Sequence, residues 1–198
     1  MAFASIGAAA VLQEHPDHAA ARSMLEDTAD VIGTVIDDDG WHWTEPQLRY
    51  ANGVLAEATI AIGVGLERPE LLGQGLGMLR WLISIERHDG HLSVTGTRGR
   101  FPGEVGPQFD QQPIEVAAIA DACWRALRVT DDRRWAEGID SAAAWFIGDN
   151  DAGLAMFDST TQGGYDGLSA TSVNLNQGGE STLAYISTMH RAAQLAMV

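Results

Sequence analysis

Apolar residues recur at intervals of three and four along most of the chain, the pattern of amphipathic helices with one buried face. Ala21, Met24, Leu25, Ala29 and Ile32 form such a stripe within residues 18–36, and Tyr50, Val54, Leu55, Ala58 and Ile62 form another within 47–66. Leu72, Leu76, Leu79 and Ile83 predict a helix over 69–86. Val116, Ile119, Ala120, Cys123 and Leu127 predict one over 114–129, and Trp135, Ile139, Ala142, Ala143 and Phe146 one over 133–147. Leu183, Ile186, His190 and Leu195 predict a last helix over 181–197 with these side chains on its packed face. Residues 1–12 lack the positive start of a secretory signal and read as a short first helix. Pro69 suits a first helical position, and Asp131 and Asp132 favour the start of another helix.

Between the helices, His91 to Thr97 alternates in polarity and predicts a short β-hairpin or an extended loop. Residues 96–113 and 153–179 are glycine-rich, and each stretch leads directly into a helix. A weak repeat links these features. An offset of 64 positions lays Tyr50 on Ile114, Leu55 on Ile119, Ala58 on Ala122, Leu79 on Ala143, Trp81 on Trp145 and Leu82 on Phe146. A further step lays Ile119 on Leu183 and Ala120 on Ala184. The repeating unit is a helix pair plus a long loop, which buries its apolar face only by stacking on its neighbours. The fold class expected is all-α, an α/α toroid-like array of helix pairs forming part of an (α/α)6 barrel. A plain helical bundle is the simpler alternative, because alanine-rich helices imitate one another. In the toroid reading, helices after long loops are inner, and those loops open on one rim.

Composition narrows the partners. The 198 residues, 45% of them hydrophobic, fit a single domain spanning 1–198. The 27 acidic residues against 12 basic ones leave a formal net charge of −15. A field of that sign repels phosphate backbones and anionic bilayers, so no nucleic-acid or membrane partner is expected. No window reaches the roughly 18 apolar residues of a membrane span, and a cytoplasmic location is expected. Cys123, the one cysteine, reads as a buried thiol. His15, His18, His42, His88, His91 and His190 show no zinc-ligand spacing. Asp149-Asn150-Asp151 opens like a calcium loop, but Thr160 stands at its closing acidic position, so these residues read as a turn. No metal and no cofactor are expected.

The polar residues gather in the long loops. Trp41-His42-Trp43-Thr44-Glu45-Pro46-Gln47 precedes one inner helix, Phe109-Asp110-Gln111-Gln112-Pro113 the next, and Val173-Asn174-Leu175-Asn176-Gln177-Gly178-Gly179-Glu180-Ser181 the last. The repeat lays Gln47 on Gln111. Aromatic faces, carboxylates and side-chain amides together suit a sugar, whose ring stacks and whose hydroxyls need several donors and acceptors. Glu45, Asp110, Asp166 and Glu180 are the candidate catalytic carboxylates, since glycoside hydrolysis uses two across the scissile bond. Trp41, Trp43, Gln47, Gln111, Gln112, Asn174, Asn176 and Gln177 are the candidate substrate-binding residues. Acid, base and nucleophile stay unassigned, and helix capping or loop anchoring is the alternative role for the carboxylates.

The segments FDQQPIEVAAIADACWRA (109–126), AWFIGDND (144–151) and GGYDGLSATSVNLNQGGESTLAY (163–185) resemble a bacterial family of α/α-toroid proteins associated with glycosyltransferase modules. WHWTEPQLRYANGVLAEA (41–58) looks like an earlier motif of that family, and the run VNLNQGGEST is the most specific part. The chain departs from the family pattern at Thr44, where a Phe is usual, at Gly53-Val54, where an Ala-Arg pair is usual, and mildly at Gly179. The resemblance implies a toroid with saccharide-facing residues on the inner-helix rim, and this chain as its C-terminal part, incomplete on the N-terminal side. It implies a carbohydrate-active domain that acts on or binds a saccharide, including glycoside processing. The alternative is a non-catalytic glycan-binding or scaffold module partnering a glycosyltransferase. A saccharide, a glycosyltransferase and self-association are the partners expected.

Overall fold

The computed structural model describes residues 1–38 and 40–197. Among them the chain forms seven helices: α1 (Ala2–Glu14), α2 (Ala19–Ile32), α3 (Asn52–Gly65), α4 (Pro69–Ile85), α5 (Pro113–Thr130), α6 (Arg134–Phe146) and α7 (Gly179–Leu195). Six short strands pair as three antiparallel hairpins: β1 (Ile36–Asp38) with β2 (Trp41–Trp43), β3 (Arg87–His88) with β4 (His91–Leu92), and β5 (Gly167–Leu168) with β6 (Val173–Asn174). The protein is thus mostly helical.

Local chemistry explains most boundaries. Pro69 and Pro113 occupy the first turns of α4 and α5, where a missing N–H costs nothing. His18 caps α2 by accepting the Ala21 N–H. Gly33 takes a positive φ of 74° and stops α2 four residues short of the predicted end. α3 begins at Asn52 rather than near 47, because Leu48 is held extended by two backbone bonds to Arg100, of 2.9 and 3.0 Å. The predicted hairpin near 91–97 lies slightly earlier. Its turn is Asp89-Gly90, both at positive φ, and residues beyond Leu92 run extended to a bridge between Gly96 and Gln111.

Four helices run parallel in a row. Ala2 and Ile6 of α1 pack beside Ala51 and Val54, while Leu12 lies near Gly65 at the other end of α3. Between α3 and α5, Glu115 binds Ala51 and Asn52 near the start, Gly53 meets Ala118, and Glu57 pairs with Arg125 further along at 2.9 Å. Between α5 and α7, Asp121 pairs with Arg191 at 2.6 Å. The partners Ala51 and Glu115 lie 64 positions apart, the offset of the sequence repeat. α4 folds back against α3, with Gly63 against Leu72 and Gly75 against Ile60, and α6 returns against α5 with Gly138 on Cys123. The main core lies between these two layers and includes Ile60, Met78, Leu82, Ile119, Cys123, Ile139 and Phe146. Cys123 is fully buried, and burial pushes its thiol up to about 12.

The last helix corrects the apolar stripe assigned to it. α7 buries Ser181, Ala184, Thr188 and Leu195, while Leu183 is 67% and Ile186 53% exposed. Ser187 and Arg191 meet α5 at Asp121, and the bulky pair lies toward solvent. Tyr50 likewise stands before α3 and is 53% exposed instead of joining its buried face.

Candidate functional site

The N-terminal ends of α3, α5 and α7 lie at one level because their preceding loops are bonded to one another. Gln47 donates its side-chain amide to the Arg98 carbonyl at 3.1 Å. Thr97 N–H donates to the Asp110 carbonyl at 2.9 Å. Gln111 and Leu168 exchange backbone bonds of 2.9 and 2.8 Å, and Asp166 N–H reaches the carbonyls of Asn174 and Asn176. The three long loops therefore form one continuous rim. Glycine is required where they cross: a Cβ on Gly96 would stand 2.7 Å from the Phe109 carbonyl oxygen.

Across this rim, the Tyr50 hydroxyl donates to Glu180 at 2.7 Å, joining the start of α3 to the first turn of α7. The Glu180 carboxylate pushes the Tyr50 phenol up to about 12, since ionising it would lose that bond and set two negative charges together. Asp110 is exposed and accepts from the Ser169 hydroxyl at 2.7 Å. Asp166 accepts the Gly178 N–H at 2.7 Å and the Asn176 amide. Burial opposes ionisation of Asp166, but bonds from Ser181, Asn176 and Gly178 outweigh it and hold the carboxyl below its ordinary range. Gln177 is also tied into the loop, accepting from Thr161 at 2.6 Å. Asn174 and Asn176 are exposed, and Gln112 is half-buried at the residue before α5.

Three predicted binders, Trp41, Trp43 and Gln111, are buried, and the candidate catalytic Glu45 lines a cavity of its own. Trp41 and Trp43 are 4% and 1% exposed. The β1–β2 hairpin lays them against Trp81 of α4, with ring centroids 4.9 and 5.8 Å away, so they are core residues and offer no stacking face. Gln111 is fully buried, and its amide is consumed by Asp151, Gln108 and Trp145. Glu45 is exposed, near the start of α1, beside Met1, Ala2 and Thr28 in a shallow cavity of about 190 Å³. Its backbone carbonyl accepts the Trp41 indole N–H.

Two groups matter that the loop motifs did not indicate. Glu115, in the first turn of α5, accepts N–H bonds from Ala51 and Asn52 and the Asn52 side-chain amide. Burial and then the charge of Glu86 push its carboxyl up to about 8, against the pull of those three donors. It sits beneath Tyr50, one repeat away from Ala51, and the repeat itself was the signal that could have found it. The second group is His88, His91 and Asp151, whose ligand atoms all lie within 4.8 Å of one another.

Away from the rim, Glu57, Asp121, Trp124, Arg125 and Arg191 line a groove of about 370 Å³ between α1, α3, α5 and α7. Two ion pairs on its walls, Glu57 with Arg125 and Asp121 with Arg191, brace successive helices of the row, and Arg128 adds a further positive charge. No protein-family model matches the chain, and no curated protein matches it.

Proposed function

We propose that the protein is a saccharide-binding domain of the α/α-toroid type, akin to the glycosyltransferase-associated family that its loop motifs resemble, with its ligand on the rim. The observation that carries this reading is the Tyr50–Glu180 bond at 2.7 Å, which holds a half-exposed aromatic ring beside an exposed carboxylate where three polar loops meet. An aromatic face can cover the apolar side of a pyranose, while Glu180, Asp110, Asn174 and Asn176 supply acceptors and donors for its hydroxyls. Asp166 supports the same reading from behind: held ionised by bonds from Ser181, Asn176 and the Gly178 N–H, it anchors the last loop rather than serving as a proton donor.

Binding is favoured over turnover for a related reason. The carboxyls raised toward the range of a general acid, Glu57, Glu86 and Glu115, are buried and bonded within the fold. Glycoside processing remains the second reading, favoured by the way Tyr50 orients one oxygen of Glu180 and leaves the carboxylate open to solvent. The test is a binding panel of neutral and acidic oligosaccharides, with Tyr50→Ala and Glu180→Gln beside the native chain. The reading expects a neutral saccharide to bind and each substitution to weaken it at least tenfold. Binding that neither substitution alters, or no binding across the panel, would overturn it. Product release from a bound oligosaccharide, abolished in Glu180→Gln, would favour the second reading.

A further inference from the structure

The hairpin β3–β4 and the loop after α6 bring together three side chains that neither segment explains alone. Asp89-Gly90 makes a two-residue turn, so His88 and His91 stand directly opposite each other as cross-strand partners with both rings on one face. Asp151 enters from the loop after α6. Its Oδ1 lies 3.0 Å from His91 Nε2 and 3.5 Å from His88 Nδ1. Donor atoms bound to one ion at about 2.0–2.1 Å in a tetrahedron stand about 3.3 Å apart. The two separations fall on either side of that value.

Charge points the same way. The Asp151 side chain is only 3% exposed, and among the described residues no arginine pairs with it. A nearly sealed carboxylate needs charged partners, and the two imidazoles are the ones this carboxylate has. A divalent cation between them would take the place of the imidazole protons, keeping the carboxylate matched. The other carboxylate oxygen, Oδ2, is held by Gln111 Nε2 at 2.5 Å, and Gln111 Oε1 accepts the Trp145 indole N–H at 3.1 Å. Such outer contacts aim a ligating oxygen and set its orientation in metal sites. Asn150 secures the loop by bonding the carbonyls of Trp145 and Leu154 at 2.8 and 2.7 Å.

We propose that His88 Nδ1, His91 Nε2 and Asp151 Oδ1 bind a divalent transition-metal ion of the Zn2+ class, with solvent or a small anion completing its coordination. Two imidazoles and one carboxylate suit such an ion better than Ca2+ or Mg2+, which prefer all-oxygen sets. His88, at 38% side-chain exposure, leaves a path to solvent. The site clamps the hairpin to the loop after α6, and through Gln111 it joins the loop that leads into α5. The proposal does not depend on saccharide binding.

The test uses the full chain, stripped with a chelator, titrated calorimetrically with Zn2+ alone and then with Co2+ for its visible absorption. One ion per chain is expected, with a rise in Tm and Co2+ bands showing nitrogen–oxygen coordination. His88→Ala, His91→Ala and Asp151→Asn should each weaken binding at least tenfold, whereas a His15→Ala/His18→Ala double variant should not. His88→Ala alters a partly exposed side chain, and its far-ultraviolet circular dichroism checks that the fold is intact. No stoichiometric binding, or binding lost only in the His15/His18 variant, would overturn the assignment.

Discussion

Replacing Gly53 by alanine tests the parallel row directly, because this glycine is where α3 touches the backbone of α5. A Cβ placed there would stand 2.5 Å from both the carbonyl carbon and oxygen of Ala118 and 2.7 Å from Ile119 N. Ordinary van der Waals contact begins near 3.4 Å, so the helices must separate by about 1 Å or bend. Overpacking of this kind costs about 1–3 kcal/mol. The higher helix propensity of alanine returns about 1 kcal/mol of that. The net expectation for Gly53→Ala is a loss of up to about 2 kcal/mol, near zero if the helices bend easily. Gly73→Ala is the matched control. Gly73 lies on the exposed side of α4 with no atom within 4 Å of its Cβ position, so the same change should stabilise by about 0.5–1 kcal/mol. Urea denaturation followed by circular dichroism reads both, provided the slope of the transition is unchanged. Equal effects of the two substitutions would refute the close α3–α5 approach, and with it the row that carries the rim.

Other expectations follow from single groups. Native Glu115 titrates near 8 against 4.5 for an ordinary glutamate, so the native state binds this proton more tightly than the unfolded chain. Its contribution to stability is therefore greatest below pH 4.5 and declines as pH rises toward 8; Glu115→Gln should flatten that decline in stability-versus-pH curves, and an unchanged slope would contradict the burial assigned to it. Tyr50 should ionise near 12 in ultraviolet titration, and Glu180→Gln should return it toward 10; a native Tyr50 already titrating near 10 would break the rim contact. Gln111→Ala removes the amide joining Asp151 to Trp145 and leaves both polar groups short of a partner, at a cost of about 2–4 kcal/mol in denaturant unfolding; a loss under about 0.5 kcal/mol would show the network to be dispensable.

Much of the helical layer was legible because its signals are local. Pro69 and Pro113 open α4 and α5, and the three- and four-residue stripes of α4, α5 and α6 point into the core where expected. Positions one repeat apart meet in the structure where the Ala51 N–H bonds Glu115. What was not legible depends on distant contacts. Trp41 and Trp43 lie in a polar stretch, and only their packing on Trp81 makes them core residues. Leu183 and Ile186 fit a buried stripe, yet α7 buries Ser181, Ala184 and Thr188 instead. His91 and Asp151 are 60 positions apart, so no local spacing announces their meeting. Gln111 belongs to a motif that suggested ligand contact, but its side chain points into the fold and organises that same cluster.

The saccharide reading comes down to where a sugar contacts the chain. Nuclear magnetic resonance shift mapping, with the tightest ligand of the oligosaccharide panel, measures this. The account predicts the largest perturbations at Tyr50, Asp110, Asn174, Asn176 and Glu180. Perturbations confined to the groove of Glu57, Asp121, Trp124 and Arg191, with the rim unmoved, would contradict it.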